Sequence, residues 1–156
     1  MSTRACPVDG DPPVDARGVR FAAAVTTAVL ALVLATGSSL LLAAQAAVFA
    51  LGAFAGLRFA PYSVLYRRLV APRLGPPTAT EGSAPVRFSQ GVGLLFAAVG
   101  TVGYLAGAPV VGAVATALAL VAALLNAAVG FCLGCEMYGL LHPLIHRFRN
   151  QQGATA

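Results

Sequence analysis

Two long stretches of this chain carry no charge: Phe21 to Leu57, bounded by Arg20 and Arg58, and Phe88 to Cys135, bounded by Arg87 and Glu136. A transmembrane helix needs roughly 20 apolar residues. Each stretch is too long for one crossing and suits two. Each also has a turn signal near its middle, Gly37-Ser38-Ser39 in the first and Gly107-Ala108-Pro109 in the second. The pattern predicts four helices, near 19–36, 40–57, 88–107 and 110–133, arranged as two tight helical hairpins. The first is short, and Arg20 extends it by snorkelling toward the interface. A cleaved signal peptide fits poorly, because mixed polar residues precede the apolar core and a second apolar run follows at once.

Between the hairpins, Tyr62, Leu65 and Leu69 recur at helical spacing in the segment from Pro61 to Val70, with Arg67 and Arg68 off that stripe. This predicts a short helix lying at the membrane interface. From Leu74 to Pro85 the composition is that of a flexible link. Residues 1–15 are expected to form a loose tail, residues 16–141 the membrane domain (hairpin one 19–57, interfacial segment and link 58–87, hairpin two 88–135), and 142–156 a second tail.

Composition agrees with a membrane protein. Of 156 residues, 58% are hydrophobic and 10% charged, against about 25% charged in soluble domains. All ten basic residues are arginines, so Schiff-base or lysine-nucleophile chemistry is excluded. Arg4, Arg17 and Arg20 precede helix one, Arg58, Arg67, Arg68, Arg73 and Arg87 lie between the hairpins, and Arg147 and Arg149 follow helix four. The hairpin turns have none. Arginine-rich short loops stay in the cytoplasm, so both termini and the central segment are expected on the cytoplasmic side of the inner (plasma) membrane. The same distribution explains the net charge of +5 as topology and headgroup contact rather than nucleic-acid binding.

The two halves read as a duplicated hairpin. Val19-Arg20-Phe21 opens the first and Val86-Arg87-Phe88 the second; Gly52-Ala-Phe-Ala-Gly56 closes the first and Gly130-Phe-Cys-Leu-Gly134 the second; Tyr62 and Tyr138 follow. Glycines four apart, including Gly103 and Gly107, suit close helix packing and are compatible with a homo-oligomer. Where copy one has Phe54 and Leu57, copy two has Cys132 and Cys135.

Those two cysteines are the candidate chemistry. In the cytoplasm they stay reduced, and Cys-x-x-Cys spacing suits reversible dithiol–disulfide exchange. At the C-terminal end of helix four, the helix dipole and Glu136 disfavour a thiolate; at the start of a new helix opened at Gly134, Cys135 is favoured as one. Both geometries fit the sequence, as does simple packing of two small apolar residues. Cys135 is expected nearer the water as the attacking thiol and Cys132 as the resolving one, with Cys6 a further cytoplasmic thiol. Cys132, Cys135, His142 and His146 also spell a zinc-type C-x2-C-x6-H-x3-H set, but the spacer is short and Pro143 interrupts it; the histidines equally suit the headgroup layer. Gln45 and Asn126, with Thr26, Thr27 and Thr116, are the polar residues deep in the helices. No acid or base lies within a span, which disfavours a proton-coupled transporter, and no cofactor motif is present.

Asp15-Ala-Arg17-Gly18, Val19-Arg-Phe21, Ala60-Pro-Tyr62, Arg73-Leu-Gly-Pro-Pro77, Val86-Arg-Phe88 and above all Asn126-Ala-Ala-Val-Gly-Phe-Cys-Leu-Gly-Cys-Glu-Met-Tyr138 resemble the bacterial membrane family catalogued as domain of unknown function 4395, in its actinobacterial form. The resemblance covers about residues 14 to 140, and its Phe-Cys-x-Gly-Cys motif falls on Cys132, Gly134 and Cys135. It implies a tie to thioredoxin-like or sulfurtransferase partners. The resulting expectation is an all-α, four-span thiol protein acting on the cytoplasmic side. The rival expectation is a non-catalytic scaffold or small-solute permease whose cysteines only pack.

Overall fold

The computed structural model describes residues 13–133 and 135–140. It is all-α apart from one small ladder. Helix α1 spans Ala16–Thr36, α2 Ser39–Ala50 with a π-helical turn at Leu51–Ala55, α5 Ser83–Leu105 and α6 Pro109–Val129. Between α2 and α5 lie α3, Pro61–Leu65, a second π-helical turn, Tyr66–Val70, and α4, Ala71–Leu74. Strands β1, Val14–Asp15, and β2, Thr80–Glu81, pair antiparallel. Three helices, α1, α5 and α6, are long and apolar enough to cross a membrane, and Ser39–Ala55 is a shorter apolar helix.

Local chemistry sets the boundaries. Asp15 caps α1, its side chain accepting from the Arg17 N–H, so the helix begins at Ala16 and not at Val19. Gly37 in the left-handed conformation (φ 65°) ends it. Ser38 caps α2 by accepting from the Leu41 N–H. α5 starts five residues ahead of Phe88 because Pro85 sits in its first turn, where a missing N–H is harmless. Helix α6 stops at Val129, short of the expected 133, because Gly130 is left-handed (φ 69°).

Val14 and Asp15, the described end of the expected tail of residues 1–15 (residues 1–12 lie outside the described residues), are tied to the expected link. Val14 faces Glu81 and Asp15 faces Thr80 across the ladder. Arg17 reinforces it, donating to the carbonyls of Leu74, Gly75 and Pro76. The expected short helix is present, but its faces differ from the expected stripe. Tyr66 is 3% exposed, while Leu65 and Leu69 point outward. Tyr62 and Tyr66 anchor the helix to the bundle, which leaves the two leucines on its outer side.

The helices pack both across the hairpins and, in the second, within it. α1 lies against α6, and α5 lies against both α2 and α6, whereas α1 and α2 touch far less. The core consists of Leu30, Val33, Leu42, Phe49, Ala97 and Ala119. Many large apolar side chains face outward, among them Val99, Val102, Leu118, Val121 and Leu124. A water-soluble monomer rarely exposes such an area; a bilayer covers it.

The glycine pairs divide their labour. A Cβ on Gly103 would lie 2.8 Å from the Gly112 nitrogen, and one on Gly52 would meet Gln90. Their expected partners Gly107 and Gly56 have positive φ and nothing nearby. They end helices and do not pack them, as does Gly130. Gly134 lies outside the described residues.

Candidate functional site

Gly130 creates the site. Its N–H still reaches the Asn126 carbonyl at 3.0 Å, and the Phe131 N–H reaches that of Leu125 at 3.4 Å, but the left-handed turn redirects the chain. Phe131 and Cys132 are outside any helix, and residues 133 and 135–140 are helical again. The Cys132 carbonyl accepts from the Glu136 N–H at 3.1 Å. Cys132 therefore stands just ahead of a new helical segment, which the left-handed turn at Gly130 sets off from α6. The start of that segment favours a thiolate at Cys132, whereas burial works against one at Cys135.

Both cysteines are thiols in this structure. Their exposures reverse the expected order: Cys135 is 8% exposed, whereas Cys132 is half-buried and lines a cavity. The Cys132 Sγ lies 3.0 Å from the Ser89 Oγ. Ser89 also donates to the Pro85 carbonyl at 3.0 Å. A hydroxyl has one proton, so while Ser89 donates to Pro85 the thiol donates to Ser89. On ionisation of Cys132, the hydroxyl can rotate and donate to the sulfur.

Glu81 stands close by. Burial, and secondly a charge on Cys132, hold its carboxyl above the ordinary carboxylate range, and Arg20 pulls the other way. Its Oε2 is buried without a hydrogen-bond partner. A neutral Glu81 is compatible with a thiolate at Cys132; an ionised one opposes it.

Arginines brace this end of the bundle. Arg20 donates to the Ala128 carbonyl at 3.3 Å, near the end of α6. Arg87 donates twice to the Ala53 carbonyl, at 3.1 and 3.0 Å, near the end of α2. The starts of α1 and α5 therefore meet the ends of α6 and α2, and the turns at Gly37 and Gly107 lie at the other end. Phe21 packs on Tyr66 with ring centroids 5.8 Å apart, and Phe88 on Tyr138 at 6.0 Å. The Tyr66 hydroxyl donates to Asp15 at 2.8 Å. Burial raises the Asp15 pKa, but the hydrogen bonds from Tyr66 and Arg17 outweigh it and the carboxyl is held below its usual value. Tyr66 moves the other way, through burial and then through Asp15.

A cavity of about 710 Å³ extends from Cys132 into the bundle. Asn126, one of the deep polar residues, lines it with its Oδ1 buried and unpartnered. Gln45, 1% exposed, accepts from the Tyr62 hydroxyl at 2.7 Å. Among the described residues, no group of three His, Cys, Asp or Glu side chains could hold a metal. His142, His146 and Cys6 lie outside the described residues. Ser89, Glu81 and Tyr66 were not singled out from sequence. Ser89 had a signal: it follows Val86-Arg87-Phe88 where Ala22 follows Val19-Arg20-Phe21, so the two hairpins differ there as they do at the cysteines.

Neither the search of curated proteins nor the search of solved structures found a match. A family model does match, over residues 14–142. That span takes in the β1–β2 tie, every long helix and the cysteine pair, and the chain belongs to the family described as "Domain of unknown function (DUF4395)".

Proposed function

We propose that this chain is a four-crossing protein of the inner membrane, built from a duplicated hairpin, whose Cys132 and Cys135 exchange electrons with a thioredoxin-like or sulfurtransferase protein on the cytoplasmic side. The observation that carries the reading is the placement of Cys132 Sγ, on a cavity wall and 3.0 Å from Ser89 Oγ, with Cys135 three residues into the helix that Cys132 opens. The matched roles of Arg20 and Arg87, each donating from the start of one hairpin to a carbonyl near the end of the other, support the duplication. At 1.5 Å per residue, Ser39–Ala55 is short for a bilayer, and Arg58 at its end extends its reach by snorkelling.

The chemistry follows from exposure. Cys132, as thiolate, attacks one sulfur of a partner disulfide, and the partner's other sulfur leaves as a thiolate that takes up a proton. Cys135 loses its proton and attacks Cys132 Sγ. The pair closes as a disulfide and the partner departs as a dithiol. Two electrons and two protons have passed to the partner; the reverse sequence restores the pair.

Alkylation of the protein in membranes before and after a mild disulfide-forming oxidant tests the proposal. Oxidant should protect Cys132 and Cys135 together, and thioredoxin with its reductase should restore labelling of both. The buried position of Cys135 favours one other reading, in which the cysteines only pack within a scaffold or permease. Labelling that oxidant leaves unchanged would select that reading.

A further inference from the structure

The cavity behind Cys132 has a polarity gradient. Arg58, Arg67 and Arg87 line it at the end where α1 and α5 begin, and Phe49, Phe96 and Ala119 line it within the core. Arg58 and Arg67 are exposed and Arg87 is half-buried, so the three guanidinium groups form one cationic rim to this space. The sole ion pair among the described residues joins Arg17 to Asp15, and none of the three has a carboxylate partner among those residues. Their contacts within the protein are to neutral groups. Arg87 donates to the Ala53 carbonyl and Arg67 to that of Arg58, while Arg58 lies over the Phe59 ring at 4.5 Å. A guanidinium has five N–H donors, so most remain available.

Two further atoms point to an occupant. Ser83 lines the cavity at 8% exposure with its hydroxyl oxygen unpartnered, and Asn126 contributes an unpartnered buried Oδ1. Buried polar atoms are ordinarily satisfied. Water would satisfy the polar end but not the aromatic one, since apolar cavity walls do not hold water. An occupant with an anionic head and one apolar chain meets both. At about 710 Å³ the space falls within the range of small-molecule sites, which suits one chain and not a two-chain phospholipid.

We propose that this cavity binds a single-chain amphiphile with an anionic oxygen head group, carboxylate or phosphate, the head held by Arg58, Arg67 and Arg87 and the chain lying between Phe49, Phe96 and Ala119. Arginine suits either head because its planar fork matches two oxygens at once. The site is independent of the redox reading, since it uses no property of the sulfurs.

The experiment is equilibrium binding of labelled oleate to the full chain in a neutral detergent, with competition by a lysophosphatidate and by uncharged monoolein. Saturable binding near one oleate per chain is expected, displaced by lysophosphatidate and at least tenfold less effectively by monoolein. The relative strength of oleate and lysophosphatidate assigns the head as carboxylate or phosphate. Arg58→Gln with Arg67→Gln should weaken binding of the charged ligands tenfold or more. Filling the cavity from two sides, by Ala122→Phe and separately by Ala22→Leu, should remove binding, while Val121→Phe on the outward face of α6 leaves it unchanged. Equal competition by monoolein would overturn the anionic head. Full binding in both filled variants, or no saturable binding of either charged ligand, would overturn the site.

Discussion

A Cys135→Ala variant should accumulate as a mixed disulfide with its partner through Cys132, whereas Cys132→Ala should capture nothing. The asymmetry follows from burial. Cys132 lines the cavity beside Ser89, and Cys135 is almost wholly covered. An incoming disulfide meets the Cys132 sulfur first, and Cys135 serves to resolve the bond. Without the resolving thiol the intermediate cannot close on Cys135, and it persists when the partner has no second thiol to attack it. Incubation with a thioredoxin whose second active-site cysteine is serine and whose first is held as a mixed disulfide with thionitrobenzoate, which leaves when Cys132 attacks, then non-reducing electrophoresis, reads the result as a band at the summed mass. Capture by Cys132→Ala and not by Cys135→Ala would reverse the roles. Ser89→Ala removes the hydroxyl that faces the sulfur and should slow capture by Cys135→Ala without preventing it.

Gly103→Ala should destabilise the bundle by about 1–3 kcal/mol, the usual range for overpacking a tight core, and Gly103→Leu by more. The new Cβ would lie 2.8 Å from the Gly112 nitrogen and 3.3 Å from its Cα. Both are backbone atoms of α6, so relief requires α5 and α6 to separate along the seam that small residues allow them to share. Gly91 is the control. It lies on the same helix, and a Cβ there meets nothing within 4 Å. Gly91→Ala should be neutral or slightly stabilising, since alanine favours helix over glycine. Unfolding in mixed micelles with increasing dodecyl sulfate measures both. Equal stability of the two variants would show that α5 and α6 do not approach this closely.

Much of the helical layout was legible in sequence because it rests on long-range composition. A charge-free run between arginines needs no partner to declare itself, and left-handed Gly37 and Gly107 mark turns that a Gly-Ser or Gly-Ala-Pro signal already suggests. What depends on a single backbone angle was not legible. Gly130 reads in sequence as half of a packing pair; its φ of 69° makes it a helix end, and the position of the cysteines follows from that angle. Leu65 and Leu69 repeat at helical spacing whether they face protein or lipid, and Tyr66 decides the matter by its bond to Asp15. The β1–β2 ladder is two residues long, too short for a period-two pattern. The cavity has no sequence signature, because side chains from five helices and the segment beyond Gly130 converge on it. The contact of Ser89 with Cys132 was half legible, as a coincident departure from the first hairpin, but the distance came from the fold.

Function turns on where the arginine-bearing end of the bundle lies, since that end holds the cysteine pair and decides which partners can reach it. The direct measurement is thiol labelling from each side of the membrane. In a Cys6→Ser background, vesicles of both orientations are treated with a maleimide that cannot cross the bilayer, and incorporation at Cys132 and Cys135 is read by mass. The account predicts incorporation at Cys132 in inside-out vesicles and none in right-side-out ones. Labelling confined to right-side-out vesicles would contradict it, because the pair would then face an oxidising compartment beyond the reach of cytoplasmic thioredoxin-like proteins.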